Sequence, residues 1–277
     1  METPAQVSAT QPPQPEITKS GGGKRLLFFF IVLVLLIGPW VFEFGLLDLL
    51  RDQPKDYIPP VATKSAKPKA PTFTKEELID SFVNTAIFDV KEQEICITRW
   101  NKAVVTIGFA QAPTENIKKY VDEYVEQFNS VSNSVKLVGI DQGQADITIQ
   151  LLSESKYLNV ANTERTKKAR GFARWEYNKG SCETYTGGAY FNMTQLTAAL
   201  AQKIIIWHEL QHNMGFWGHS ELKACTIHGM ACDLKEFGEI EKNFIDMLYN
   251  SGLPLCSKSH AATTYLLNNW QKKYNDN

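Results

Sequence analysis

The distribution of apolar residues divides the chain into four unequal parts. Residues 1–25 carry only Val7 and Ile17 as large aliphatics, among four prolines and the Gly21-Gly22-Gly23 triplet. Such a stretch cannot offset the entropy of ordering and is expected to be a disordered tail. From Leu26 to Phe42 every residue is uncharged and nearly all are apolar. As a helix this run would extend about 26 Å, close to the hydrocarbon thickness of a bilayer. Trp40 stands near one end, where an interfacial anchor is expected. A secretory signal peptide begins with its basic region, has a shorter apolar core and ends at a small-residue cleavage site. Here 25 residues precede the run and no such site follows it. A buried core helix is the alternative, disfavoured because the run is apolar on every face and its flanks are expected to be disordered. Residues 26–43 are therefore expected to form a single transmembrane helix that anchors the chain in the lipid bilayer.

Residues 51–71 hold five prolines and four lysines, which reads as an extended Pro/Lys-rich stalk. Lys19, Lys24 and Arg25 precede the span, whereas Arg51 and Lys55 follow it, diluted by acidic residues. The bias favours a cytoplasmic N-terminus and an extracytoplasmic domain at the cell membrane.

The remaining part, residues 72–277, alternates short strand patterns with helical ones. Lys102–Phe109 is β-branched and short, a strand. Ile117, Tyr120, Val121, Tyr124, Val125 and Phe128 recur at helical spacing and predict an amphipathic helix over 114–129. Lys136–Ile140 and Asp146–Leu152 read as strands, the second with Ile147, Ile149 and Leu151 alternating. Residues 159–182 read as a polar loop with a strand at Gly171–Tyr177, and Gly188–Met193 as a short strand after a Gly-Gly turn. Residues 195–214 predict a long buried helix, with Thr194 as N-cap and Gly215 as C-cap. Phe237, Ile240, Phe244, Met247 and Leu248 predict a helix over 235–249, and a last one runs over about 263–270. This order gives an α/β or α+β domain.

Composition narrows the function. Lys plus Arg total 29 and Asp plus Glu total 30. Removing residues 1–50 takes away three basic and four acidic residues and leaves 26 of each. The domain lacks the basic excess of an electrostatic nucleic-acid binder, so no nucleic-acid partner is expected. Mean hydropathy of −0.26 and 43% hydrophobic residues exclude full disorder. All five cysteines, Cys96, Cys182, Cys225, Cys232 and Cys256, lie beyond the apolar run. An exported domain would keep disulfides, and an odd count leaves one sulfur outside any two bridges. Cys225 and Cys232 could staple the segment between them.

The chemistry concentrates in residues 208–219, His-Glu-Leu-Gln-His-Asn-Met-Gly-Phe-Trp-Gly-His, which hold three of the five histidines. On a helix, positions i and i+4 lie about 40° apart around the axis. His208 and His212 would then converge on one point, at the spacing that binds Zn²⁺. Glu209, beside the first ligand, can reach a metal-bound water without ligating the metal, and act as general base. Gly215 lets the chain turn after the helix and bring a third histidine back.

At these residues the chain resembles the metzincin clan of zinc metalloproteases, whose signature is H-E-x-x-H-x-x-G-x-x-H with a Met-containing turn downstream. His208, Glu209, His212 and Gly215 match position by position. The expected third ligand position holds Gly218, and His219 comes one residue later. The resemblance implies His219 as third ligand, with His228, Asp233 and Glu221 as competitors. Ile227-His228-Gly229-Met230 is similar to the Met-turn, with Met230 as its methionine. The arrangement is also similar to uncharacterised exported bacterial proteins with degenerate metzincin motifs. A gluzincin-like alternative would take Glu236 or Glu239 as third ligand.

The resemblance implies a zincin-like α+β domain: a twisted mixed sheet, an active-site helix carrying the histidines and a C-terminal helix. It implies a Zn²⁺-dependent endopeptidase acting on proteins or peptides. It further implies that the strand preceding the active helix, Gly187–Met193, is an edge strand that takes the extended substrate. A non-catalytic binding module on the same scaffold is the alternative from another class. The basic run Arg165-Thr166-Lys167-Lys168-Ala169-Arg170 reads as a solvated loop.

Overall fold

Thr74 starts the first described helix with a reciprocal cap. Its hydroxyl accepts from Glu77 N, and the Glu77 carboxylate accepts from Thr74 N at 2.8 Å. The helix that follows, α1 (Lys75–Ala86), buries Leu78, Ile79, Phe82, Val83 and Ala86 along one face. The computed structural model describes residues 72–87, 89–90, 93–94, 96–141, 144–222, 227 and 235–274. The expected tail, membrane span and stalk lie outside these residues, as do Cys225, His228, Met230, Cys232 and Asp233. Among the described residues no helix is long and apolar enough to cross a membrane.

After α1 come a two-stranded hairpin, β1 (Asp89–Val90) and β2 (Gln93–Glu94), and then β3 (Arg99–Trp100) and β4 (Val104–Phe109). Next are α2 (Glu115–Val131), β5 (Lys136–Ile140), β6 (Ile147–Leu152), α3 (Glu154–Val160) and α4 (Glu164–Lys168). Then come β7 (Gly171–Tyr177), β8 (Glu183–Asn192) and α5 (Ala199–Asn213). The chain closes with α6 (Glu239–Ile245), a π-helical turn at Asp246–Asn250, and α7 (Ser259–Asn269).

The main sheet runs β5–β4–β6–β8–β7, and β3 pairs with the start of β8. Every pairing in it is parallel except β7 with β8. Parallel neighbours need a crossover, and α2 supplies the one between β4 and β5. Helices α2 and α5 contact each other, α2 contacts β5, and α5 contacts β7 and β8. Tyr124 of α2 meets Trp207 of α5 and Phe237 at ring distances of 6.3 and 5.5 Å. Trp207 Nε1 also donates to Tyr120 O at 2.8 Å, which fixes α5 against α2. A smaller cluster of Tyr157, Ala161 and Phe172 packs α3 against the sheet. The result is an α+β domain with a mostly parallel sheet.

The hydrophobic pattern locates β4, α2, β5, β6 and β7 within two residues of their ends, and differs elsewhere for physical reasons. Thr194 does not cap α5, which begins at Ala199 without a side-chain cap. Its hydroxyl instead accepts from Glu154 N at 3.2 Å, at the start of α3. Gly187 and Gly188 are not a turn. They lie inside β8, where Asn213 Nδ2 donates to Gly188 O. The stretch 159–182 read as loop contains the end of α3 and all of α4. The strand preceding α5 is also not an edge: β8 bonds to β6 on one side and β7 on the other. The antiparallel β7 folds back over β8 and becomes the edge, pairing with β8 alone among the described strands.

Candidate metal centre

Three imidazoles converge at the C-terminal end of α5. His208 and His212 lie one turn apart on the helix, and His219 returns from the following loop. Nε2 of His208 is 3.0 Å from Nε2 of His212 and 3.2 Å from Nε2 of His219. The three ligand atoms all lie within 4.8 Å of one another. Four tetrahedral ligand atoms at 2.0–2.1 Å from zinc would stand about 3.3 Å apart, so the spacing suits a metal.

The other ring nitrogens decide the tautomers. His208 Nδ1 lies 2.6 Å from Ile227 O, and His212 Nδ1 lies 2.5 Å from Phe216 O. A carbonyl oxygen only accepts, so each Nδ1 carries the proton and donates it. Burial, with the neighbouring imidazole, holds His208 down at about 4; burial, His208, His219 and Arg165 hold His212 down at about 3. Burial thus favours the neutral form of both rings. The outward hydrogen bonds of the two Nδ1 atoms orient the rings as in known metal-bound histidines.

The loop that returns His219 is shaped by glycines. Gly215 takes φ +98°, and a Cβ there would meet Thr98 O at 2.5 Å. Gly218 donates its N–H to Thr85 O at 2.7 Å, and a Cβ on it would stand 2.8 Å from Asn84 O. Position 218 thus lies flat on the end of α1 with no room for a side chain. The side chain that reaches the cluster is that of the next residue, His219. Trp217 Nε1 bonds Thr98 Oγ1 at 3.0 Å, and Ser220 bonds Ser81 of α1 at 2.9 Å, so the loop is held on both sides of Gly218. Glu221 and Glu236 are exposed, and the buried Glu239 pairs with Lys272. Among the described residues the histidine cluster includes none of the three.

Glu209 faces the cleft from the same helix and is buried at 6% exposure. Burial pushes its carboxyl up to about 8, against the opposing hydrogen bond from the Ala173 N–H of β7. The cleft above it holds about 410 Å³ and is walled by β7, α4 and the post-helix loop, through Ala173, Trp175, Arg165, Thr166, Trp217 and His219. The Trp175 ring lies parallel to His212, with centroids 6.4 Å apart, and packs against Trp217 at 4.0 Å.

Sequence reasoning missed three contributors. Glu241 of α6 is fully buried and accepts from Ile227 N at 2.7 Å, the same peptide whose carbonyl holds His208. Tyr157 donates to Thr166 O at 3.0 Å and so fixes α4 beside the cleft. Helix α1, which supports the His219 loop, follows a Thr74-x-x-Glu77 pattern that signals a helix start. A second trio, Cys96, Cys182 and Cys256, brings its sulfurs as close, but Cys182 and Cys256 form a disulfide. Compared with known proteins, the chain matches no family model and no curated relative.

Proposed function

We propose that this chain is a membrane-tethered zinc metallopeptidase with a metzincin-like zincin domain, hydrolysing peptide bonds in proteins or peptides outside the cytoplasm. His208, His212 and His219 would hold Zn²⁺ through Nε2, with Glu209 as general base. The observation that carries this reading is the convergence of one ligand nitrogen each from His208, His212 and His219 within 4.8 Å, with Nδ1 of His208 and His212 bonded to backbone carbonyls. A zinc ion there would lower the pKa of bound water toward about 7 and polarise a carbonyl oxygen.

The chain's own residues supply the rest. Beside a dication the Glu209 carboxyl would ionise, since a nearby opposite charge favours the charged form. Its carboxylate then takes a proton from the attacking water and returns it to the leaving amine. The Ala173 N–H holds that carboxylate in place. Substrate would lie along the free edge of β7, with main-chain hydrogen bonds supplying affinity. Trp175 and Trp217 exclude water from one side.

The test uses the full chain in detergent, loaded with zinc and then stripped by a chelator, against a quenched peptide library. Glu209→Gln should lower turnover by about 10²–10⁴-fold while keeping one zinc per chain. One zinc per chain with no cleavage by the wild type would favour a tethered binding module instead. No bound zinc would sink both readings.

A further inference from the structure

The run Arg165-Thr166-Lys167-Lys168-Ala169-Arg170 has the composition of a solvated loop, yet the fold gives part of it a second role. Residues 164–168 form α4, and Arg165, Thr166 and Ala169 turn into the same cleft as His208, Glu209, His212 and His219. Arg165 is close enough for its charge to act on both His212 and His219. The segment is held in place rather than loose, because Tyr157 hydroxyl, buried under it, bonds Thr166 O at 3.0 Å.

The charge balance of this wall is one-sided. Lys167 pairs with Glu164 at 2.9 Å. Among the described residues no carboxylate pairs with Arg165, Lys168 or Arg170. The one acidic side chain lining the cleft, among the described residues, is Glu209, and it is buried and bonded to Ala173. Electroneutrality of the whole domain therefore conceals one exposed cation, Arg165, at the rim of the site itself. A guanidinium prefers a carboxylate, which it can bind through two parallel hydrogen bonds.

We infer that the cleft selects acidic peptides, with Arg165 as the residue that receives a substrate carboxylate. The inference rests on the peptidase reading for its setting. Its specific content is that affinity, rather than the reaction at the scissile bond, depends on Arg165. Because Arg165 is exposed, a charge-assisted hydrogen bond of this kind should favour Glu over Gln by about 2- to 5-fold at one substrate position.

The experiment uses the full, zinc-loaded chain and nonapeptides that carry Glu, Gln or Lys at each position in turn. KM and kcat are read by cleavage, and affinity by fluorescence anisotropy of the same labelled peptides. The expected result is a lower KM and tighter binding for Glu at one position, with Lys worst. Arg165→Gln should abolish that preference, and Arg165→Lys should retain part of it, with zinc content unchanged. Equal treatment of Glu and Gln overturns the inference, as does a preference that survives Arg165→Gln. A loss confined to kcat also overturns it, since Arg165 would then act on the reacting atoms. If nothing is cleaved, the peptidase reading fails, while the anisotropy arm still decides whether acidic peptides are preferred.

Discussion

His212 shows how one ring serves two demands: its Nδ1 proton is committed to Phe216 O, which leaves Nε2 for a metal. Glu209 beside it has an opposite problem, because its charged form is poorly solvated. Burial raises its pKa to about 8 in the metal-free protein. For an acid with a raised folded pKa, the unfolded chain releases its proton first. Stability is therefore lost as pH rises from the unfolded value of about 4.3 to about 8, and stays lost above that. In chelator, Glu209→Gln should melt higher than the wild type at pH 8.5, and the difference should shrink at pH 5. Equal melting at both would contradict the carboxyl's burial in an unfavourable state. The histidine pair and Glu209 are legible in the sequence because i, i+4 spacing is local. The offset of the third histidine is legible too, but its reason is not, because it depends on Gly218 meeting the backbone of Asn84 and Thr85, far away in the chain.

Among elements, α6 and α1 act as supports for the centre. The buried carboxylate of Glu241 holds Ile227 N, and Ile227 O orients His208. Outer partners of metal-bound histidines typically govern affinity by 10–100-fold. Glu241→Ala should therefore weaken zinc affinity by about that factor, measured by competition with a zinc chelator, and Glu241→Gln by less. Unchanged affinity in both would remove α6 from the account. A second junction joins β4 to β6. Asp146 accepts from Thr106 N at 2.8 Å, from its hydroxyl at 2.9 Å and from Lys102 at 2.7 Å. Burial alone would raise the Asp146 pKa, but Lys102 and the two Thr106 donors outweigh it and hold the carboxyl below its ordinary value. That contribution is present above the unfolded pKa and is lost as pH falls through the depressed one. Asp146→Asn should cost about 1–2 kcal/mol at neutral pH, after allowing for the exposed lysine, and less in acid. Urea unfolding at pH 7 and pH 3 checks both. β4, β5, β6, β7 and α2 are readable from pattern, whereas the two-residue β1, β2 and β3 are too short to show one, and β7's place at the edge is not readable since pairing order is non-local.

For the whole molecule, the near-equal charge counts hide separate parts: an apolar run proposed as membrane anchor, a Pro- and Lys-rich sequence after it and a domain whose cleft is lined by Arg165. The Cys182–Cys256 disulfide closes a sequence separation of 74 residues and joins the start of β8 to the segment before α7. Disulfides typically contribute about 2–4 kcal/mol. Cys256→Ser should lower unfolding stability by about that amount, and an unchanged urea midpoint would show that the bridge does not form. This pairing was not legible from five cysteines alone, because sequence spacing does not fix which sulfurs meet. The claim on which everything else depends is a zinc ion held by three imidazoles. X-ray absorption at the zinc edge of the full, metal-loaded chain measures it directly. The account predicts three imidazole nitrogens at about 2.0–2.1 Å, one further light atom and no sulfur. A sulfur shell, or a chain that retains no zinc, would contradict it.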